Sequence, residues 1–225
     1  MKKNIYLVLG IFILAVSFFW GASYFYKKNQ DVQTTGPESN SQNTVADLSL
    51  LIRDWSPTLG PSLARIVIVE FLDPECESCR AMHPILKNVL KDYPGTVRYI
   101  LRYMPLHQNS TAAAAWLEAT REQDKYWESL DVLFEKQPEW ADHHSPRPDL
   151  VPKFLKSIGV DTKRAALTKN QQEIIGRIQK DKEDGARLGV TATPTFFVNG
   201  QRLLELGDTS LRALIEEEML RKSKE

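Results

Sequence analysis

The chain has only two cysteines, and they stand one helical turn apart as Cys76-Glu77-Ser78-Cys79. Thiols at i and i+3 of a helix bring their sulfurs within bonding reach, so one can attack a disulfide and the other can release the mixed disulfide that results. The attacking species is the thiolate, whose pKa of about 8.5 falls when the sulfur sits at a helix N-terminus. Which cysteine holds that place depends on the elements around the motif.

Residues 65–72 (Arg-Ile-Val-Ile-Val-Glu-Phe-Leu) form a nearly continuous apolar run, the pattern of a parallel strand covered on both faces. Asp73-Pro74-Glu75 ends that strand. Ala81, Met82, Ile85, Leu86, Val89 and Leu90 then recur at helical spacing until Tyr93-Pro94-Gly95. Cys76 therefore opens the helix and is the expected nucleophile, while Cys79, shielded one turn inside, is the resolving thiol. The neighbouring acids oppose the helix end. At roughly 7 Å and near-water dielectric, Glu75 and Glu77 each cost a thiolate about 0.6 kcal/mol, against about 0.3–1 kcal/mol gained from the helix dipole. The expectation is a Cys76 of only moderate acidity.

A second signal lies downstream, around Thr193-Pro194. Residues 195–198 read as a strand, Asn199-Gly200 as a two-residue hairpin turn, and residues 201–206 as the returning strand. A proline can open a strand where its missing N–H is not needed. Asp208 is expected to cap a last helix carrying Leu211, Leu214, Ile215 and Leu220. With a further strand at 96–104, the order is β-α-β followed by β-β-α.

On these residues, the stretch 66–80 together with Thr193-Pro194, the chain resembles the thioredoxin superfamily, and within it the extracytoplasmic DsbA-like thiol-disulfide oxidoreductases. Glu70 stands six residues before Cys76, where that family has a buried acid. Pro84 stands five after Cys79, where many thioredoxins kink the active-site helix. The long interval between Cys79 and Pro194 resembles the family's helical insertion, with Trp116, Tyr126, Trp127, Leu130, Leu133 and Phe134 at helical spacing as its core. The resemblance implies an α/β thioredoxin-like fold with an inserted helical domain at about 108–189, inside a domain at 47–225. It further implies that Glu70 assists proton transfer with Cys79 and that Thr193 and Pro194 form a cis-proline loop that binds an extended partner chain. Disulfides would be exchanged with cysteine-containing extracytoplasmic proteins, without a cofactor, and a membrane redox protein would reset the pair.

One departure bears on direction. The strongest oxidants of the family carry Pro-His between their cysteines, and here Glu77-Ser78 stands there. Extra negative charge and no imidazolium in the motif disfavour the reduced form, and each 1.4 kcal/mol lost lowers the potential by about 30 mV. A reductase, for example one serving cytochrome c maturation, is the alternative within the class. A metal-handling protein that binds copper through Cys76, Cys79 and His83 is the alternative outside it. His107 is the fourth residue considered for such a site, and no spacing places it nearby. Arg80 excludes the c-type haem motif, which needs His directly after the second cysteine. His143-His144 reads as a solvated loop pair, residues 177–184 as a solvated mixed-charge helix face, and Trp55 with Pro57 as a tack for the chain before the first strand.

The N-terminus sets the setting for this chemistry. Residues 5–26 carry no charge, and at about 1.5 Å per residue they extend roughly 33 Å, enough to cross a bilayer. Trp20, Tyr24, Phe25 and Tyr26 crowd the far end like an interfacial belt. Residues 1–28 are read as an uncleaved single-pass anchor, with Gly21, Ala22 and Ser23 marking the cleavage point if the segment is instead a signal peptide. Residues 29–46 are read as a flexible tether. The catalytic domain is then expected on the extracytoplasmic side of a bacterial inner membrane. Over 225 residues, 29 Lys and Arg balance 29 Asp and Glu, so no global basic field recruits nucleic acid.

Overall fold

The computed structural model describes residues 46–223, so the expected anchor at 5–26 and nearly all of the tether lie outside the described residues. Among the described residues, no helix is long and apolar enough to cross a membrane. A short helix α1 (Leu48–Leu51) leads into β1 (Thr58–Leu59), β2 (Ile66–Leu72), α2 (Glu77–Asp92) and β3 (Val97–Tyr103). Six helices follow: α3 (Ser110–Ala119), α4 (Tyr126–Glu135), α5 (Gln137–Trp140), α6 (Val151–Ser157), α7 (Thr162–Thr168) and α8 (Gln172–Arg187). The chain closes with β4 (Thr195–Val198), β5 (Gln201–Arg202) and α9 (Asp208–Arg221).

The strands form one sheet in the order β1-β3-β2-β4-β5. β2 runs parallel to β3 and antiparallel to β4, so the strand that feeds Cys76 is the central one. Side chains alternate between the faces of a strand. Ile66, Ile68 and Leu72 point into a cluster with Cys79, Met82, Leu86 and Val89 of α2 and Leu211 and Ile215 of α9. Val69 and Phe71 point the other way, onto Leu51, Ile100, Met104, Val190 and Phe197. Glu70 falls between Ile68 and Leu72 in this alternation and so shares the face of the cysteine helix.

α8 is solvated on one side, where Lys182 and Glu183 are exposed, but not on the other. Asp181 and Asp184 are buried and grip Arg102, which is fully buried in β3. Arg102 donates from Nε to Asp181 and from Nη2 to Asp184, each at 2.8 Å, and from Nη1 to the carbonyls of Leu50 and Leu51. Arg53 and Lys180 also donate to Asp184, and Trp55 to Asp181. A fully buried arginine needs such partners, because an isolated charge in a core is too costly to keep. Burial pushes the Asp184 carboxyl up, but the hydrogen bonds from Arg53, Lys180 and Arg102 outweigh it and hold the group well below the usual carboxylate range. α8 also approaches the sheet closely at Gly185, where a Cβ would lie 3.0 Å from the Phe71 ring and 3.1 Å from Met104 Sδ.

Two local expectations fail for stated reasons. The returning strand covers only Gln201–Arg202, closed by the bond from Leu203 N–H to Phe196 O. Its partner β4 begins behind Pro194, which has no N–H to extend the ladder. Asp208 is not the cap of α9. Gly207 holds that place at φ +151°, a backbone angle that favours glycine, and the Asp208 carboxylate instead accepts from Arg212 at 2.8 Å.

Candidate active site

Cys76 is the N-cap of α2, in extended backbone conformation, with its own N–H bonded to the Asp73 carbonyl. Cys79 lies one turn inside and is fully buried; both cysteines are free thiols. Their surroundings separate them chemically. Cys76 is lowered from 9.0 to about 5, foremost by the hydrogen bond with Cys79, and further by the Thr193 side chain and the amides of Cys79 and Ser78, while its burial opposes the shift. Burial pushes the Cys79 thiol well up, and its hydrogen bond to Cys76 adds to this. The surroundings thus favour the thiolate at the first sulfur and the protonated thiol at the second.

The moderate acidity expected from Glu75 and Glu77 is corrected here. The Glu75 carboxylate turns away from the sulfur and accepts from Asn109 N–H at 2.6 Å, Asn109 Nδ2 at 3.0 Å and Ser110 Oγ at 2.9 Å. Glu77 points to solvent, 3.7 Å from His143 Nε2. Charges turned into partners or into water weigh little on the thiolate.

Glu70 is buried under this pair. Burial pushes its carboxyl from 4.5 up to about 8, although the hydrogen bond from Tyr99 pulls it down. Tyr99 Oη donates to Glu70 Oε2 at 2.6 Å. Charge on Glu70 raises Cys79 further, so the two share one proton economy. On the open side, the Thr193-Pro194 peptide bond is cis, and the Cys76 thiol donates to the Thr193 carbonyl at 3.1 Å. The structure therefore brings Cys76, Cys79, Glu70, Thr193 and Pro194 to one place.

It does not bring His83 there. His83 Nε2 lies 2.6 Å from Asp131 Oδ1, about two turns along α2 from Cys76, and Asp131 also accepts from Lys87. Among the described residues, no group of three or more His, Cys, Asp and Glu side chains converges to hold a metal ion. Arg80, His83, Pro84 and Lys87 instead line an open groove between α2 and α4.

Two further residues at the site hold the loop that carries Cys76. Asp73, fully buried, accepts from Glu75 N–H with Oδ1, and from Leu106 N–H, His107 N–H and His107 Nδ1 with Oδ2. Gln137, at the start of α5, donates from Nε2 to the carbonyls of Pro74 (2.8 Å) and Cys76 (3.0 Å). The loop 73–76 is thus pinned on one side by the loop after β3 and on the other by the helical insertion. An Asp-Pro-Glu directly after a core strand, with two acids that need buried partners, is the signal that points to such pinning.

The thioredoxin family model matches residues 54–217. The chain belongs to the thioredoxin family. Among relatives, the Na(+)/H(+) antiporter NhaA of Herminiimonas arsenicoxydans is 31% identical over 144 residues, covering 64% of this chain and 22% of the antiporter. The chain thus spans about a fifth of the length of the first curated relatives it matches. Disulfide bond formation protein D of Bacillus subtilis is 29% identical over 173 residues, covering 72% of this chain and 77% of that protein. The crystal structure of oxidised BdbD from Bacillus subtilis superposes with a TM-score of 0.67 at 24% identity, over 78% of this chain and 96% of that one. These matches agree with the DsbA-like resemblance read from the sequence.

Proposed function

We propose that the chain is an extracytoplasmic thiol-disulfide oxidoreductase that exchanges disulfides with cysteine-containing proteins. The observation that carries this reading is the opposite displacement of two adjacent thiols, Cys76 down to about 5 and Cys79 well up, beside an open cis-proline loop. The likeness to a disulfide bond formation protein supports it.

In the reducing direction, the Cys76 thiolate attacks a substrate disulfide, forms a mixed disulfide and expels one substrate thiolate. Cys79 then gives up its proton and attacks the Cys76 sulfur, closing the Cys76–Cys79 disulfide and releasing the second substrate sulfur. Glu70, with its carboxyl displaced to about 8, is the group placed to take that proton from Cys79 and to return it in the opposite direction. The Thr193 carbonyl, 3.1 Å from Cys76 Sγ, is placed to accept a backbone hydrogen bond from an extended partner strand once the thiol has ionised.

We place the domain outside the cytoplasmic membrane of a bacterium, held by residues 5–26, with a membrane redox protein resetting the pair. No cofactor is required, because the dithiol is the redox group. The geometry gives no preference to metal handling, since His83 is committed to Asp131.

The test is exchange with a disulfide-bonded model protein. Wild type is expected to exchange, Cys76→Ser to be inactive, and Cys79→Ser to trap a mixed disulfide. Equal exchange by wild type and Cys76→Ser would end the proposal. The equilibrium with glutathione then assigns direction: about −120 to −150 mV marks a donor of disulfides, and about −250 mV or lower a reductase.

A further inference from the structure

The tetrapeptide holds no histidine, yet two imidazoles stand at its edge. His107 comes from the loop after β3, and its ring lies 5.4 Å from that of His143, in the loop after α5. His143 reaches Glu77 at 3.7 Å, and Glu77 is the residue after Cys76. On the other side, Asp73 binds His107 Nδ1 at 2.8 Å through its carboxylate and the Cys76 N–H at 3.1 Å through its carbonyl. Contacts therefore run in a closed circuit from Cys76 through Asp73, His107, His143 and Glu77 back to the cysteine. Within it, the His107 ring is orientated by a fully buried carboxylate.

We infer that His107, orientated by Asp73, is a positioning residue that holds a positive charge against the Cys76 thiolate and makes the Cys76/Cys79 pair a stronger oxidant. The inference rests on the thiol-disulfide reading above. The reduced pair consists of the Cys76 thiolate and the Cys79 thiol, and the oxidised pair is the neutral disulfide. Oxidation passes two electrons to a partner disulfide, which leaves as two sulfurs, and the Cys79 proton moves to one of them. Only the reduced pair carries charge at sulfur, so a nearby cation favours it, and a pair whose reduced form is favoured oxidises its partners more strongly.

The groups facing His107 are Asp73, Glu75 and Cys76 from the segment after β2, and His143 from the loop after α5. Burial works against protonation of His107. The hydrogen bond and charge of Asp73, with the charges of Cys76 and Glu75, outweigh it and raise the group above its ordinary 6.5. The effect is therefore full below the histidine range and fades as pH rises through the displaced value. On its other side, His143 stands beside the Glu77 carboxylate.

The experiment compares the full chain with His107→Gln and His107→Lys. It reads the ultraviolet absorbance of the Cys76 thiolate against pH, and the equilibrium with glutathione at about pH 6 and about pH 9, on either side of the histidine range. At the lower pH, His107→Gln is expected to shift that equilibrium about tenfold toward the disulfide, equivalent to about 30 mV. Its Cys76 titration should move up, and the difference in the equilibrium should vanish at the higher pH. His107→Lys, charged throughout, should match wild type at the lower pH and be the stronger oxidant at the higher one. Identical values for wild type and His107→Gln at the lower pH overturn the inference, as does an equal shift at both pH values, the mark of a structural role. If His107→Gln does not fold, His107→Lys equal to wild type at the higher pH overturns it. Should wild type exchange no disulfides at all, the thiolate titration still reports on His107, so failure of the underlying reading is told apart.

Discussion

Tyr99 and Glu70 are joined by a hydrogen bond of 2.6 Å between adjacent, parallel strands, and both side chains are buried. Tyr99 lies opposite Ile68, two residues before Glu70 on β2, so its hydroxyl reaches diagonally along the face that α2 covers. The bond stabilises the charged form of a carboxyl that burial otherwise keeps neutral, and Glu70 sits at about 8 as the resultant.

Glu70→Gln is expected to stabilise the reduced protein at alkaline pH. Between 4.5 and about 8 the folded chain holds a proton on Glu70 that the unfolded chain has released. Its contribution to stability is complete below 4.5 and is lost as pH rises to about 8, at up to about 1.4 kcal/mol per pH unit. Urea unfolding of wild type across this window should show the decline, and Glu70→Gln should flatten it. The same variant should slow release of the mixed disulfide.

Removing only the hydroxyl, as in Tyr99→Phe, takes away the hydrogen bond that favours the carboxylate. The pH profile of mixed-disulfide release should move upward, with a loss of about 1–3 kcal/mol in stability from the bond left unmade. A profile that stays in place would show that Glu70 does not govern that step.

Arg102→Leu should destabilise the protein by about 3–5 kcal/mol, because Asp181 loses its only charged hydrogen-bonding partner among the described residues and Asp184 loses one of three. The Cys76 titration should be unchanged. Asp184, held below its ordinary 3.8, contributes stability that is complete above that pH and lost as pH falls through its displaced value. Acid unfolding of wild type, compared with Asp184→Asn, measures that share.

Gln137→Leu removes two hydrogen bonds from the active-site loop and leaves the carbonyls of Pro74 and Cys76 without this donor. A loss of about 1–3 kcal/mol is expected. Exchange at Cys76 should slow, because the loop that presents the sulfur is held less firmly. Denaturant unfolding and exchange kinetics on the same sample separate the two effects.

What was legible in the sequence follows from how locally each feature is encoded. The apolar run of β2, the helical spacing after Cys79 and the Asn199-Gly200 turn are written in neighbouring residues, and they place both cysteines and Thr193-Pro194. Glu70 was reached through the resemblance, since spacing alone does not tell a buried acid from one that reaches solvent. The burial of Asp181 and Asp184 is not legible locally, because a mixed-charge helix usually faces water. The correcting signal lies far away, in Arg102 of the strand Val97–Tyr103. No local spacing points to His107, although the loop after a strand parallel to β2 must emerge at the same end of the sheet as Cys76. The acidity of Cys76 was underestimated because the directions taken by Glu75 and Glu77 depend on Asn109, Ser110 and His143, none of them adjacent in sequence.

The pinning of residues 73–76 from two distant stretches bears on protein engineering. A graft of Cys-Glu-Ser-Cys into another scaffold would transplant two sulfurs and leave behind Asp73, Gln137 and the loop carrying His107. The transplant is then expected to adopt the acidity of its host. With the Thr193-Pro194 loop that meets Cys76 Sγ, the smallest portable unit is four separated segments of backbone, and an exchange of modules between homologues has to cut outside all of them.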